Sequence, residues 1–164
     1  MEASDASPGP VRSRFESVDP APPHQLSDIS KLRDTLVDTS LKMFERMRAV
    51  FSLRNSGKDE AVYALCEAFS DDSALLRHEV AYVLGQIQNK AALPTLFTVL
   101  ENEDEHVMVR HEAAEAMGAI GCRSSIPILE KHLKNPSPEI SESCEVALDL
   151  LHFCLSREYE TTEW

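Results

Sequence analysis

A tandem repeat decides the fold: LRHEVAYVLGQIQNKAALPTLFTVL (residues 76–100) is followed by VRHEAAEAMGAIGCRSSIPILEKHL (residues 109–133). The two segments are offset by 33 residues throughout, and nine of their 25 positions are identical. Pro94 aligns with Pro127, each near the start of a short second helix, where proline is tolerated. Each repeat is therefore predicted to be a long helix, a tight connection and a shorter helix, the kind of unit that stacks into α-solenoids.

Weaker copies of the unit flank this pair, at residues 44–57 and 140–151. The predicted fold class is therefore all-α, an α-solenoid of helix-pair repeats with about four units, which the family resemblance described below identifies as HEAT-like. The expected helices lie near 29–36, 41–54, 59–69, 74–88, 91–101, 107–120, 124–134 and 138–154. Asp71, Asp72 and Ser73 are expected to cap the N-terminus of the fourth helix.

The two ends of the chain differ from this repeat domain, which is expected to span residues 28–155. Residues 1–27 contain five of the nine prolines, separated mainly by Ser, Asp and other small or polar residues. Apolar residues are too sparse there to offset the entropy of ordering, so we predict a disordered tail or linker. Residues 156–164, SREYETTEW, are predicted to form a fraying acidic tail.

Composition narrows the class of function. The chain has 164 residues and a formal net charge of −12, from 28 acidic and 16 basic side chains. This charge argues against general nucleic-acid binding, which needs clustered cations, and suits a protein whose partner is basic. The longest apolar run covers only residues 61–66. Because about 20 apolar residues are needed to cross a bilayer, no membrane partner is expected.

The cysteines and the N-terminus indicate the compartment. Cys66, Cys122, Cys144 and Cys154 show no C-x-x-C spacing and lie mostly within apolar helical patterns. We interpret them as reduced, buried thiols, with Cys144 in the core. No apolar signal core stands at the N-terminus, so the expected location is the cytoplasm.

The candidate site comes from what the two central copies share. Both carry Arg-His-Glu in the same register, at residues 77–79 and 110–112, where the outer copies have Arg-Met-Arg and Ser-Glu-Ser. The His-Glu pair is therefore not required for a unit to fold. Helix geometry turns His78 and His111 away from the apolar stripe of each helix. Gly85 and Gly118 follow seven positions later, and we expect each to leave empty space beside the imidazole.

The stripes expected to face the core are Leu76, Val80, Val83, Leu84 and Ile87 in one copy and Val109, Ala113, Ala116, Met117 and Ile120 in the other.

Two readings of the paired residues stay open at this point. Adjacent helix axes lie roughly 8–10 Å apart, so His78 and His111 could converge on one ion together with one or two carboxylates. Such donors suit Fe(II), Mn(II) or Zn(II), and two His with one carboxylate is the non-haem iron pattern that activates oxygen. The alternative is a solvated polar surface with i to i+4 pairing. Glu103 with His106, and likewise His132 and His152, are expected at the surface, and Ser143 has no evident base.

At these residues the sequence resembles a known family. RHEVAYVLGQ (residues 77–86) and VRHEAAEAMGAIG (residues 109–121) resemble deoxyhypusine hydroxylase, a HEAT-repeat protein of two similar halves with two His-Glu pairs in each. SVDPAPP (residues 17–23) resembles the linker between the halves. Residues 40–57 and 142–151 resemble outer units of the C-terminal half.

The resemblance implies an iron-dependent monooxygenase with a di-iron centre, which uses O₂ to hydroxylate deoxyhypusine on a translation factor. By position, His78, His111 and Glu112 would be metal ligands. Glu79 would be a further ligand or would hold the amines of the substrate, and Glu115 is a second candidate for substrate binding. The negative charge of the chain then suits a cationic substrate.

The number of His-Glu pairs departs from the family pattern, because the family site is closed by four pairs and this chain has two. We therefore expect a fragment, a truncated isoform or a half that pairs with a second copy or with another half-protein. The isolated monomer would bind iron weakly and hydroxylate poorly. The competing hypothesis is a short HEAT solenoid that binds a protein without catalytic activity, with vestigial His-Glu pairs.

Overall fold

The computed structural model describes residues 19–25 and 28–156; residues 1–18, 26–27 and 157–164 lie outside the described residues. All regular structure in the described ranges is helical, which confirms the all-α prediction. Each predicted helix is present, with ends that differ by at most two residues. The helices are α1 (Ile29–Val37), α2 (Met43–Ser56), α3 (Asp59–Glu67), α4 (Ala74–Ile87), α5 (Leu93–Glu101), α6 (Val107–Ile120), α7 (Ile126–His132) and α8 (Pro138–Leu155).

The helices form two layers. In one layer α2, α4, α6 and α8 lie side by side in chain order. The other layer contains α1, α3, α5 and α7. In it, α1 packs beside α3 and against α2, while α5 packs against α6 and α7 against α8. Pro94 and Pro127 lie in the first turns of α5 and α7, as the aligned repeats predicted. The layer of even-numbered helices therefore carries both His-Glu pairs on neighbouring elements.

Short polar contacts set the helix ends that position the site. Ser73 caps α4, because its Oγ accepts a hydrogen bond from the backbone N–H of Leu76, and Asp71 Oδ1 accepts from the N–H of Ser73. This confirms the predicted cap. At the C-terminal ends of α2 and α6, Gly57 and Gly121 adopt left-handed φ angles of 62° and 73°. These conformations favour glycine.

The predicted apolar stripes of α4 and α6 form the core between the layers. Nine of the ten predicted residues are buried, and Ile87 is partly buried against the same cluster. The buried nine are Leu76, Val80, Val83, Leu84, Val109, Ala113, Ala116, Met117 and Ile120.

The two mid-helix glycines have a different role from the predicted one. A Cβ at Gly85 would lie 3.0 Å from the Cα of Ala116, and one at Gly118 would lie 2.8 Å from the Cα of Ala147. The expectation of empty space beside the imidazoles is therefore wrong. The space is filled by the backbone of the next helix, so these glycines allow α4, α6 and α8 to approach closely.

We expect Gly118→Ala to destabilise the protein. The added methyl group would meet the backbone of Ala147, which cannot rotate away, and overpacking of this kind costs about 1–3 kcal/mol. The gain in helix propensity, about 1 kcal/mol, offsets only part of that cost. Urea unfolding measures the difference. Gly85→Ala is the graded comparison, because its contacts of 3.0 and 3.2 Å are less severe. An unchanged or increased stability of Gly118→Ala would contradict the close-approach role.

Residues 19–25 fall within the predicted N-terminal tail, yet the structure shows them packed on α2. Asp19 pairs with Arg54, with 2.7 Å between carboxylate oxygen and guanidinium nitrogen. The backbone N–H of His24 donates to Ser52 Oγ at 2.6 Å. Side chains of α2 thus supply polar partners for this Pro-rich segment, which apolar content alone does not predict.

Two arginines cross between the layers in the same way. Arg46 donates from Nε to the carbonyl of Leu36, and Arg110 donates from Nε to the carbonyl of Leu100. Arg46 also forms an ion pair with Asp71, and both side chains are nearly buried. Arg110 is buried as well, but its Nη2 has no hydrogen-bond partner in the described part of the chain.

His132 corrects a further expectation. It was predicted at the helix surface, but the structure buries it at the end of α7. Burial lowers its pKa, and the neighbouring charge of Arg110 lowers it further. His106 and His152 are exposed, as predicted.

All four cysteines are free thiols. Cys144 is buried, and burial raises its pKa to about 11 although Arg110 opposes the shift, so it is an unreactive core residue. Cys66, Cys122 and Cys154 are only partly buried, which is less than predicted.

Candidate metal centre

The two histidines come together on adjacent helices, as the shared register predicted. His78 lies on α4 and His111 on α6, and their imidazole rings stack with centroids 6.4 Å apart and planes 24° from parallel. Their side chains are 32% and 20% exposed, so both rings remain reachable from solvent. This arrangement leaves ring nitrogens available for a ligand that enters from outside.

Glu112 lies between the two rings. Its Oε2 is 3.2 Å from Nε2 of His78 and 3.6 Å from Nε2 of His111. One ligand atom from each of these three residues lies within 4.8 Å of the other two. Two donors on opposite sides of one metal ion are separated by about 4 Å, since each metal–ligand bond is about 2.0–2.2 Å long. Small side-chain movements would therefore bring all three donors into one coordination sphere.

The electrostatics of Glu112 favour a cation at this position. Burial raises the pKa of its carboxyl, repulsion from Glu115 and Glu79 adds to the effect, and His111 opposes it, for a value of about 7. A carboxylate with so high a pKa lacks enough positive charge around it. A metal ion among the three donors would supply that charge and displace the proton.

Glu79 does not belong to this group, although it occupies the same register in α4 as Glu112 in α6. Glu112 reaches the histidine of the preceding unit, and the unit before Glu79 has Met47 at the histidine position. Burial raises the pKa of Glu79, with His78 and Arg54 opposing the shift. Glu79 thus lies outside the group of three, and its role as a further ligand or as a substrate-binding residue stays a prediction.

Ser143 is the residue that reasoning from the sequence missed. We expected no base near it, but its Oγ lies 2.7 Å from Nδ1 of His111. The hydroxyl also donates to Oε1 of Glu115 at 3.3 Å, and the same carboxylate oxygen is 3.3 Å from Nδ1 of His111. The sequence did contain a signal for this contact. Ser143 occupies in α8 the position that Glu112 occupies in α6, and Glu112 reaches the histidine of the preceding unit.

Two grooves open beside these residues. One, of about 330 Å³, runs between α4, α6 and α8, with Glu112 and Glu115 among mostly apolar neighbours that include Tyr82 and Val146. The other, of about 310 Å³, is lined by His111 and by three glutamates that include Glu115. Both grooves therefore have Glu115 in their walls.

No helix in residues 19–25 and 28–156 combines the length and the apolar character that crossing a bilayer requires.

Comparison with protein families places the repeats in a named class. A family profile described as HEAT repeats matches residues 29–102 and 62–149. The chain is 54% identical to deoxyhypusine hydroxylase of Arabidopsis thaliana over 154 residues, which is 93% of this chain and 49% of that protein. It is 47% identical to deoxyhypusine hydroxylase of Homo sapiens over 151 residues, 92% of this chain and 50% of that protein. The chain thus spans about half the length of these relatives.

Solved structures give the same result. The structure of human deoxyhypusine hydroxylase in complex with glycerol superposes with a TM-score of 0.83 and 49% identity, over 87% of this chain and 50% of that chain. The complex of CpcE and CpcF of phycocyanin lyase from Nostoc matches with a TM-score of 0.60 and 22% identity, over 75% of this chain and 52% of that chain. The second match shows the fold alone.

Proposed function

Because the chain belongs to the HEAT-repeat family and is a homologue of one half of deoxyhypusine hydroxylase, we propose that it is half of an iron- and O₂-dependent monooxygenase. The homology confirms the resemblance inferred from the paired His-Glu repeats. The proposed reaction is hydroxylation of deoxyhypusine on a translation factor, a step of hypusine biosynthesis in the cytoplasm. The observation that supports it is the convergence of His78, His111 and Glu112.

The donor set fits Fe(II). Two imidazole nitrogens and one carboxylate oxygen are the ligands of non-haem iron sites that activate oxygen, and three protein ligands leave coordination positions open. The raised pKa of Glu112 agrees with a site made for a cation, since metal binding requires the carboxylate form. Bound iron would supply activation of O₂.

The residues of this chain then have distinct tasks. His78 and His111 would each present one ring nitrogen to the metal, and Glu112 would neutralise part of its charge. Glu79 remains a candidate for a further ligand or for holding a substrate amine, at the side of the site that faces α2. Glu115 remains a candidate to attract the cationic side chain through the grooves on either side of it.

The open side of the site supports a half-enzyme. Three ligands, with His78 and His111 partly exposed, leave one side of the metal position uncovered by the described residues. The relatives are about twice as long as the stretch that the chain matches. We therefore propose that a second half, or a second copy of this chain, covers the site and supplies further ligands.

Metal analysis tests the centre directly. The full chain, purified with Fe(II) in the absence of oxygen, is expected to bind iron. His78→Ala combined with His111→Ala is expected to reduce the bound iron to background, because two of the three donors are lost. Iron per chain, measured by elemental analysis, checks this. His152→Ala is the control, because His152 is exposed and does not occupy the repeat position that His78 and His111 share.

Two results would contradict the metal centre. One is negligible iron in the unsubstituted chain, and the other is iron that persists unchanged in the double variant. Either result would instead favour a protein-binding HEAT module in which the His-Glu pairs have no metal function.

A further inference from the structure

Each ring nitrogen of His111 has a polar neighbour, but only Nδ1 lies within hydrogen-bond distance of one. Nε2 faces the proposed metal position, 3.6 Å from Oε2 of Glu112. Nδ1 faces Ser143 Oγ at 2.7 Å, which is hydrogen-bond distance. The imidazole ring therefore lies between Glu112 of α6, next to the proposed metal position, and the hydroxyl of Ser143, which belongs to α8.

The directions of these hydrogen bonds follow from what each group can do. The hydroxyl of Ser143 donates its hydrogen to Oε1 of Glu115. The Ser143 oxygen is then free to accept, and the hydrogen on Nδ1 of His111 is the donor nearest to it. With these directions, the imidazole hydrogen would lie on Nδ1 and the lone pair on Nε2.

We propose that Ser143 and Glu115 are positioning residues that fix His111 as the Nδ1–H tautomer, so that Nε2 faces the metal as a ready ligand. The inference rests on the proposed metal centre, since its consequence is the affinity for the ion. Hydrogen-bond partners at the ring nitrogen that does not bind the metal orient the imidazole and increase its basicity.

The packing of α6 against α8 makes this contact possible. Ser143 is buried, with 6% of its surface exposed, so its hydroxyl is shielded from competing water. Gly118 on α6 lets Ala147 on α8 approach closely, which places the short serine side chain within reach of the ring. The last repeat unit therefore contributes to the site although it lacks a His-Glu pair.

This arrangement adds a task to Glu115. Its Oε1 is occupied by Ser143 and by Nδ1 of His111, while 45% of the side chain is exposed. Loss of Glu115 should therefore weaken metal binding even when no substrate is present, which substrate binding alone would not cause.

The first readout is the tautomer of His111 in the metal-free full chain. Long-range ¹H–¹⁵N spectra at about pH 8.5, where imidazole is neutral, distinguish the two nitrogens. We expect Nδ1–H for the unsubstituted protein and a shift toward Nε2–H, the form that unconstrained imidazole prefers, in Ser143→Ala combined with Glu115→Ala, because Oε1 of Glu115 is itself 3.3 Å from Nδ1. A purely structural role for the two residues would not change the tautomer.

The second readout is the affinity for Co(II), followed by its absorption spectrum. We expect Ser143→Ala to weaken binding by about 10–100-fold, the usual effect of removing such a partner. Glu115→Ala should weaken it in the same direction, and it provides a partly exposed alternative if Ser143→Ala does not fold. Ser143→Thr, which keeps the hydroxyl, should retain more affinity than Ser143→Ala. The matched control is Ser141→Ala, because Ser141 lies on the same helix and, among residues 19–25 and 28–156, its hydroxyl bonds only to the Pro138 carbonyl.

The possible results separate this inference from the proposed function. An Nε2–H tautomer in the unsubstituted protein would overturn the inference, and so would equal Co(II) affinity in the unsubstituted, Ser143→Ala and Glu115→Ala proteins. Absence of Co(II) binding by the unsubstituted protein would overturn the metal centre itself, and the inference with it.

Discussion

The proposed half-enzyme predicts that the chain alone hydroxylates a deoxyhypusine-bearing translation factor at least about 100-fold more slowly than the chain mixed with a second half. The second half is represented by the part of a full-length relative that this chain does not match. The described residues provide only three metal donors and leave one side of the site open. Imprecise placement of reacting groups by about 1 Å already costs about 100-fold in rate. Product formation, measured by mass spectrometry with Fe(II) and O₂ present, checks the difference.

Two controls make this experiment specific. Mixing the second half with the His78→Ala, His111→Ala chain should leave the rate at background, because the gain must depend on this chain's ligands. Size-exclusion chromatography with light scattering reports whether two copies pair. Rapid, stoichiometric turnover by a preparation shown to be monomeric would contradict the half-enzyme.

The second large effect concerns the buried ion pair that joins α2 to the start of α4. We expect Asp71→Asn to destabilise the protein by about 3–5 kcal/mol, the usual result of removing one partner from a buried pair. Arg46 and Asp71 are only 5% and 8% exposed, so the unpaired guanidinium would have little access to water. An asparagine oxygen can still accept from the N–H of Ser73, as Asn135 does from Ser137, so the variant isolates the charge. Urea unfolding at neutral pH measures the loss.

The dependence on pH gives this prediction a second test. Burial raises the pKa of Asp71, but the hydrogen bonds from Arg46 and Ser73 outweigh burial and bring the pKa below its usual value. The pair therefore stabilises the folded state above about pH 4 and loses its effect as the pH falls through the lowered pKa. The difference between Asp71→Asn and the unsubstituted protein should be largest near neutral pH and should shrink on acidification. A small difference that does not vary with pH would contradict the role of the pair.

The opposite substitution, from asparagine to aspartate, can be made in the repeat unit that contains Arg110. Arg110 corresponds to Arg46 by its bond to the helix carbonyl ten residues earlier, and Asn135 corresponds to Asp71 by accepting from the backbone N–H of the serine that precedes the next helix. No partner stabilises Nη2 of Arg110 in the described residues. Asn135→Asp should therefore stabilise the protein, in the direction opposite to Asp71→Asn.

The paired histidines show how far reasoning from the sequence reached at the site. The repeat placed His78 and His111 in one register, and helix periodicity turned both away from the apolar stripe. Their stacking follows from those two facts, because adjacent units present the same face. The family resemblance named Glu112 as a ligand beside them, but helix periodicity alone did not, since its place depends on which neighbouring histidine the carboxylate reaches.

The glycines show why the remainder could not be predicted. Gly85 and Gly118 stand in the register expected of pocket residues, yet each lies against the backbone of the following helix. A helical repeat specifies which residues share a face, but it does not specify how closely two such faces approach. That distance depends on the small residues of both helices together.

By itself, the sequence determined the all-α class, the helix ends to within two residues and the register of the two His-Glu pairs, since hydrogen bonds within a helix and a repeated apolar stripe are local properties. Only the tertiary structure showed that Glu112 lies close to both histidines, that Glu79 lies outside this group of three, and that Ser143 meets His111. These contacts join side chains of different helices over distances of a few ångströms. They are settled when the core packs and sets the separation of the helices.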